Sequence, residues 1–140
     1  MIKVGILGAT GYAGIETVRL LARHKEVTLT RIVSHSYEGT KISDLYPNLK
    51  GICDIECTGL DIDDIANSCD LVFTALPHGA SKEVIPKLYE KGLYIIDLSG
   101  DFRYDDPAVY EKWYGQPHSD PDLLDKAVYG MCELYPEKIK

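Results

Sequence analysis

Seven residues, Gly8-Ala9-Thr10-Gly11-Tyr12-Ala13-Gly14, follow directly on the apolar run Ile2 to Leu7 and lead into the helical pattern Ile15 to Arg23. A buried strand, closely spaced glycines and then a helix is how a dinucleotide-binding βα unit begins. Backbone N–H groups must point at a diphosphate, so side chains have to be absent where the chain approaches it. The start of a helix supplies those donors together with a partial positive charge of about half a unit. In this reading Gly8 makes the tight turn, Gly11 admits the diphosphate and Gly14 lets the helix lie close to the sheet. Thr10 and the N–H groups of Tyr12 and Ala13 donate to the ligand. The competing reading is a glycine-rich turn with a purely conformational purpose.

Strand and helix patterns then alternate, which predicts an α/β, Rossmann-type fold: a mostly parallel sheet with helices on both faces, residues 1–140 forming one dinucleotide-binding domain. The expected strands are Ile2 to Leu7, Val27 to Val33, a short one near Ile52 to Cys57, Leu71 to Ala75 and Leu93 to Leu98. Helices are expected over Tyr12 to Arg23, around Asp61 to Ala66, and over Ala80 to Lys91, the last closed by Gly92. Ser34 to Lys50 reads as a polar loop. Beyond Leu98 the periodicity weakens. Asp105 to Gly115 is expected to be a short helix with Tyr110 and Trp113 packed beneath it. Gln116 to Leu124 reads as a loop and Ala127 to Gly130 as a last short strand, while Pro136 to Lys140 reads like the opening of a further element.

The chain has 140 residues and a net charge of −7, with 45% apolar and 26% charged residues. That is a soluble globular composition, and the acidic balance argues against nucleic acid as a partner. No apolar run approaches the roughly 20 residues needed to span a bilayer, and Met1-Ile2-Lys3-Val4 lacks a signal peptide's layout, so a cytoplasmic location is expected. Cys53 and Cys57 have three residues between them on a stretch expected to be a strand. No second Cys/His pair follows at zinc spacing, so free thiols, and no metal, are expected.

The end of the second strand reports on the cofactor. An NAD site places a carboxylate about 20 residues past the glycines to accept from the ribose 2′-hydroxyl. Here the residues are Ser34, His35 and Ser36, and the next carboxylate is Glu38. Hydroxyls and an imidazole suit a 2′-phosphate, and Lys41 is near enough to add charge, so NADP is favoured over NAD; alternatively Ser34 and Ser36 only start a turn. Leu76, Pro77 and His78 fall where the fourth strand meets its helix, at the sheet edge where ligands bind. His78 is expected to touch the cofactor ribose or to cap the helix.

The run Ile95-Ile96-Asp97-Leu98-Ser99-Gly100-Asp101-Phe102-Arg103, taken with the glycine turn, Ala75-Leu76-Pro77-His78-Gly79 and Val128-Tyr129-Gly130, resembles the N-acetyl-gamma-glutamyl-phosphate reductases over essentially the whole chain. The resemblance implies the N-terminal cofactor domain of an NADPH-dependent enzyme. Such an enzyme reduces N-acetyl-gamma-glutamyl phosphate to N-acetylglutamate 5-semialdehyde in arginine biosynthesis, and the full-length family is expected to be homo-oligomeric. In that mechanism a cysteine thiolate expels phosphate from the acyl phosphate, and hydride then reduces the thioester. Ser99 and Arg103 are the implied substrate contacts; a guanidinium at the sheet's carboxyl edge can hold a phosphate or carboxylate, or instead pair with Asp101 or Asp105. The family's asparagine-proline-glycine-cysteine segment and later domain do not occur in this sequence. Cys132, with no evident His base or cation nearby, is not expected to replace that nucleophile, so no catalytic residue is assigned and no turnover is expected of this chain alone. An aspartate-semialdehyde dehydrogenase-type enzyme and a stand-alone NADP-sensing module remain the alternatives.

Overall fold

The computed structural model describes residues 1–139. Five parallel strands, β1 (Ile2–Leu7), β2 (Val27–Val33), β3 (Cys57–Thr58), β4 (Leu71–Thr74) and β5 (Tyr94–Asp97), form one sheet in the order β3-β2-β1-β4-β5. The order reverses direction beside β1, which puts the carboxyl ends of β1, β2 and β4 around one crevice.

Period-two alternation sends the strand side chains to opposite faces, and helices cover both. On one face Val4, Ile6 and Ile32 pack with Val18 of α1 (Tyr12–Leu21). Ile42 and Leu49, from α2 (Ile42–Leu45) and a 3-10 turn at Pro47–Leu49, complete that cluster. On the other face Leu7, Val33 and Val72 pack with Ile65 of α3 (Ile62–Ser68) and with Val84 and Leu88 of α4 (Ser81–Glu90). Asp61 caps α3 by accepting from the Asp64 N–H at 3.0 Å. Arg31 of β2 grips Asp64 through two hydrogen bonds of 2.6 and 2.7 Å, which pins α3 to the sheet.

The carboxyl-terminal third carries α5 (Pro107–Tyr114), α6 (Pro121–Lys126) and α7 (Pro136–Ile139). Five expectations need correcting. The strand foreseen near Ile52 to Cys57 shrinks to Cys57–Thr58, because Ile55 and Glu56 pair with Ile42 and Lys41 instead of with β2, and Cys53 is buried in the core cluster. Ser34 to Lys50 is not simply a polar loop, since Ile42, Ser43 and Leu49 are buried. Residues 116–124 contain the start of α6, whose Asp120 accepts from the Leu123 N–H at 2.9 Å, while Ala127 to Gly130 finds no strand to pair with. Under α5, Tyr110 is buried as expected, but Trp113 lies on the outer side and is 67% exposed.

Candidate functional site

The glycine turn is shaped by contacts that exclude side chains. Gly8 has φ +76, and a Cβ there would overlap Ala75 O and sit 2.8 Å from Ala75 C, so only glycine lets the end of β1 pass beside that of β4. The Gly8 and Ala9 N–H groups both donate to Val33 O, at 3.0 and 3.1 Å, and Gly11 N–H closes the turn on Gly8 O at 3.1 Å. A Cβ on Gly14 would overlap Gly8 O and lie 2.8 Å from Ala9 Cα, so α1 can seat on the turn only without that side chain. Gly11 differs: its Cβ would meet nothing but Gly8 O at 3.4 Å.

Gly11 is also the N-cap of α1, with φ −77, ψ 169 and no side chain to cap the helix. The N–H groups of Tyr12, Ala13 and Gly14 therefore have no acceptor among the described residues. Three unpaired donors at the positive end of a helix, beside a glycine with open space, form an anion cradle. A diphosphate fits that donor set. The Tyr12 side chain itself stands out in solvent, 97% exposed, so its contribution is the backbone.

At the end of β2, Ser34 is buried and its Oγ lies 2.8 Å from Thr10 Oγ1. Its hydroxyl is thus tied to the glycine turn, while His35 and Ser36, next in the chain, are exposed, as is Lys41. Sequence reasoning missed Tyr46, whose hydroxyl donates to Thr10 O at 2.6 Å.

At the end of β4 the exposed residues are Pro77 and His78, with Leu76 half-buried behind them. His78 does not cap α4. Its Nδ1 lies 2.8 Å from Asp101 Oδ1 and its ring stacks on Tyr114 with centroids 4.0 Å apart. Asp101, fully buried, takes the capping role, accepting from Gly79 N–H at 2.9 and 3.0 Å and from Lys82 N–H at 3.2 Å. It also accepts from the Tyr110 hydroxyl at 3.3 Å. Burial, with the Asp101 charge and that hydrogen bond, pushes the Tyr110 phenol up to about 12. Asp101 therefore locks the turn after β5 to the turn after β4, a role that nothing in its local sequence announced.

Ser99 and Arg103 part company. The Ser99 hydroxyl donates to Asp97 Oδ2 at 2.7 Å and accepts from Asp101 N–H at 3.1 Å, which makes it a brace within the turn. Arg103 is exposed and pairs with neither Asp101 nor Asp105. It lies over the Tyr129 ring, 5.8 Å from the centroid, and lines an open cleft of about 600 Å³ with Lys126, Lys138 and the carboxylates Asp105 and Asp125. Among the cysteines, Cys53, Cys57 and Cys69 are buried free thiols and Cys132 is an exposed one. Burial pushes the three buried thiols up, away from the reactive thiolate. Among the described residues no cluster of His, Cys, Asp and Glu has metal-binding geometry, and no helix is long and apolar enough to cross a membrane.

Comparison with known proteins identifies the family. The family model described as the semialdehyde dehydrogenase NAD-binding domain matches residues 3–140. The chain belongs to that family. Among curated relatives, the N-acetyl-gamma-glutamyl-phosphate reductase of Acetivibrio thermocellus is 57% identical over the whole chain. That of Halothermothrix orenii is 53% identical, also over the whole chain. The chain spans 40% of the length of each. A crystal structure of aspartate semialdehyde dehydrogenase with NADP from Candida albicans matches with a TM-score of 0.66 and 24% identity, covering 76% of this chain and 32% of that one. At that identity the likeness concerns the fold.

Proposed function

We propose that this domain binds NADP(H) for an enzyme that reduces N-acetyl-gamma-glutamyl phosphate to N-acetylglutamate 5-semialdehyde, in the cytoplasm and as a homo-oligomer. The observation that carries the reading is the row of three unpaired N–H donors, Tyr12 to Gly14, beside the open face of Gly11. The whole-chain identity of 57% to a reductase of that name supports the substrate class. The diphosphate lies on the donor row. His35 and Ser36, with Lys41 nearby and Ser34 behind them, receive the 2′-phosphate. Leu76, Pro77 and His78, at the end of β4, would line the cofactor's ribose. The bound cofactor supplies the hydride.

Arg103 is the substrate's anchor in this reading, because its guanidinium has no carboxylate partner among the described residues, in a cleft where it, Lys126 and Lys138 outnumber Asp105 and Asp125. Ser99 acts by bracing the turn that carries Arg103. The thiolate that takes the acyl group is none of the four cysteines, since three are buried and the Cys132 thiol, which donates to Gly130 O at 3.6 Å, has no His or cation as a hydrogen-bond partner among the described residues. Residues 1–140 are accordingly a cofactor domain that needs a separate catalytic domain for turnover.

Titration of the purified chain with NADPH and NADH, followed by the fluorescence of the reduced nicotinamide, tests the cofactor half. Tighter binding of NADPH supports it; equal or tighter binding of NADH removes the NADP preference, and binding of neither removes the reading. Phosphate-dependent reduction of NADP with N-acetylglutamate 5-semialdehyde, by the 140-residue chain alone, would overturn the assignment of the nucleophile elsewhere.

A further inference from the structure

The stretch Ile42 to Leu49 lies outside every glycine-motif position, yet it touches the glycine turn. Ile42 and Leu49 are buried in the same cluster as Ile6 and Val18, so both ends of the stretch are anchored in the core. Tyr46, between those anchors, packs its ring against that cluster and sends its hydroxyl to Thr10 O at 2.6 Å. From the other side Ser34 Oγ holds Thr10 Oγ1 at 2.8 Å. Thr10 is thus gripped at both its carbonyl and its side chain by residues 36 and 24 positions away.

The peptide between Thr10 and Gly11 is the one that leads into the N-cap of α1. Glycine offers little resistance to rotation of a peptide beside it. Two bonds oppose that rotation here, Tyr46 Oη to Thr10 O and Gly11 N–H to Gly8 O. Turning the peptide breaks both and displaces Gly11, and with it the three donors that follow.

We propose that Tyr46 is a positioning residue for the cofactor diphosphate: it fixes the Thr10–Gly11 peptide, and so the unpaired N–H groups of Tyr12, Ala13 and Gly14, before the nucleotide arrives. The inference rests on the dinucleotide reading of the turn. It makes the cost of losing the hydroxyl common to NADPH and NADH, because the diphosphate is common to both.

The test is Tyr46→Phe in this chain, titrated with NADPH and with NADH at a temperature where circular dichroism shows both proteins fully folded. Under that condition a change in stability alone leaves the dissociation constant unmoved. The expected result is a loss of about five-fold for each nucleotide, the size of one hydrogen bond, with the NADPH-to-NADH ratio retained. Affinities equal to those of the parent overturn the proposal. A loss confined to NADPH also overturns it, since Tyr46 then contacts the 2′-phosphate itself. If Tyr46→Phe does not fold, Tyr46→Met, which keeps an apolar side chain in the cluster without a hydroxyl, must show the same nucleotide-independent loss; unchanged affinities there overturn the proposal equally. A parent chain that binds neither nucleotide brings down the dinucleotide reading and the inference with it.

Discussion

Replacing Gly11 and Gly14 by alanine, one at a time, separates what the turn does for a ligand from what it does for the fold. At Gly14 the new methyl would overlap Gly8 O and lie 2.8 Å from Ala9 Cα and 2.9 Å from Ala9 C, all backbone. Ordinary contact requires about 3.5–4 Å, so α1 must lift from the turn by roughly 1 Å. Such overpacking costs about 1–3 kcal/mol and carries the donor row with it, so both stability and affinity fall. At Gly11 the methyl meets only Gly8 O at 3.4 Å, and φ −77 with ψ 169 suits any residue. A poorer N-cap and a less flexible unfolded chain then nearly offset, leaving stability within about 1 kcal/mol of the parent. The methyl nevertheless occupies the space beside the donors of Tyr12 to Gly14, and NADPH affinity should fall at least about ten-fold. Urea denaturation gives the stabilities and nicotinamide fluorescence the affinities. A Gly11→Ala chain that binds NADPH like the parent would refute the placement of the diphosphate.

Four further outcomes follow from the geometry. Ser36→Asp should shift preference from NADPH toward NADH, because a carboxylate beside His35 repels a 2′-phosphate and accepts from a 2′-hydroxyl; an unchanged preference ratio in parallel titrations would contradict this. Asp101→Ala should cost about 3–5 kcal/mol in urea denaturation, since it leaves the N–H groups of Gly79 and Lys82 without their buried acceptor; a loss under 1 kcal/mol would mean the lock is dispensable. The Arg31 guanidinium holds the Asp64 carboxyl below its ordinary 3.8, so the pair's stabilisation is complete above pH 3.8 and disappears as pH falls through the lower folded value. The stability gap between the parent and Asp64→Asn should therefore narrow on acidification, and a constant gap would refute the linkage. Tyr110 ionises near 12 in the folded chain against 10 ordinarily, so folding loses stability as pH rises from 10 toward 12, and Tyr110→Phe should flatten that alkaline decline in thermal melts.

Much of the architecture was legible because it rests on local patterns. Apolar runs bounded by turn residues gave all of β1 and β2 and the positions of β4 and β5, and Gly92, at φ +82, closes the helix before it as expected. The glycine spacing assigned the tight turn to Gly8 and the close seat of α1 to Gly14, and the backbone atoms crowding both positions match those two duties. What escaped was non-local or aperiodic. Ile42 and Leu49 are buried by a segment with no repeat to betray it, and so Tyr46 was passed over. Asp101 meets Gly79 across 22 residues and Lys82 across 19, a closure only the folded sheet edge creates. The missed start of α6 is different: Asp120 followed by Pro121 is a helix-start signal, and it was outweighed by the abundance of Pro and Asp around it.

The central claim is that the amides at the start of α1 receive the cofactor's diphosphate, and amide NMR of the uniformly labelled chain reads it directly. On titration with NADPH, the backbone N–H resonances of Tyr12, Ala13 and Gly14 should move downfield and become protected from exchange, together and with one dissociation constant. Binding that leaves these three resonances in place while others shift would contradict the account.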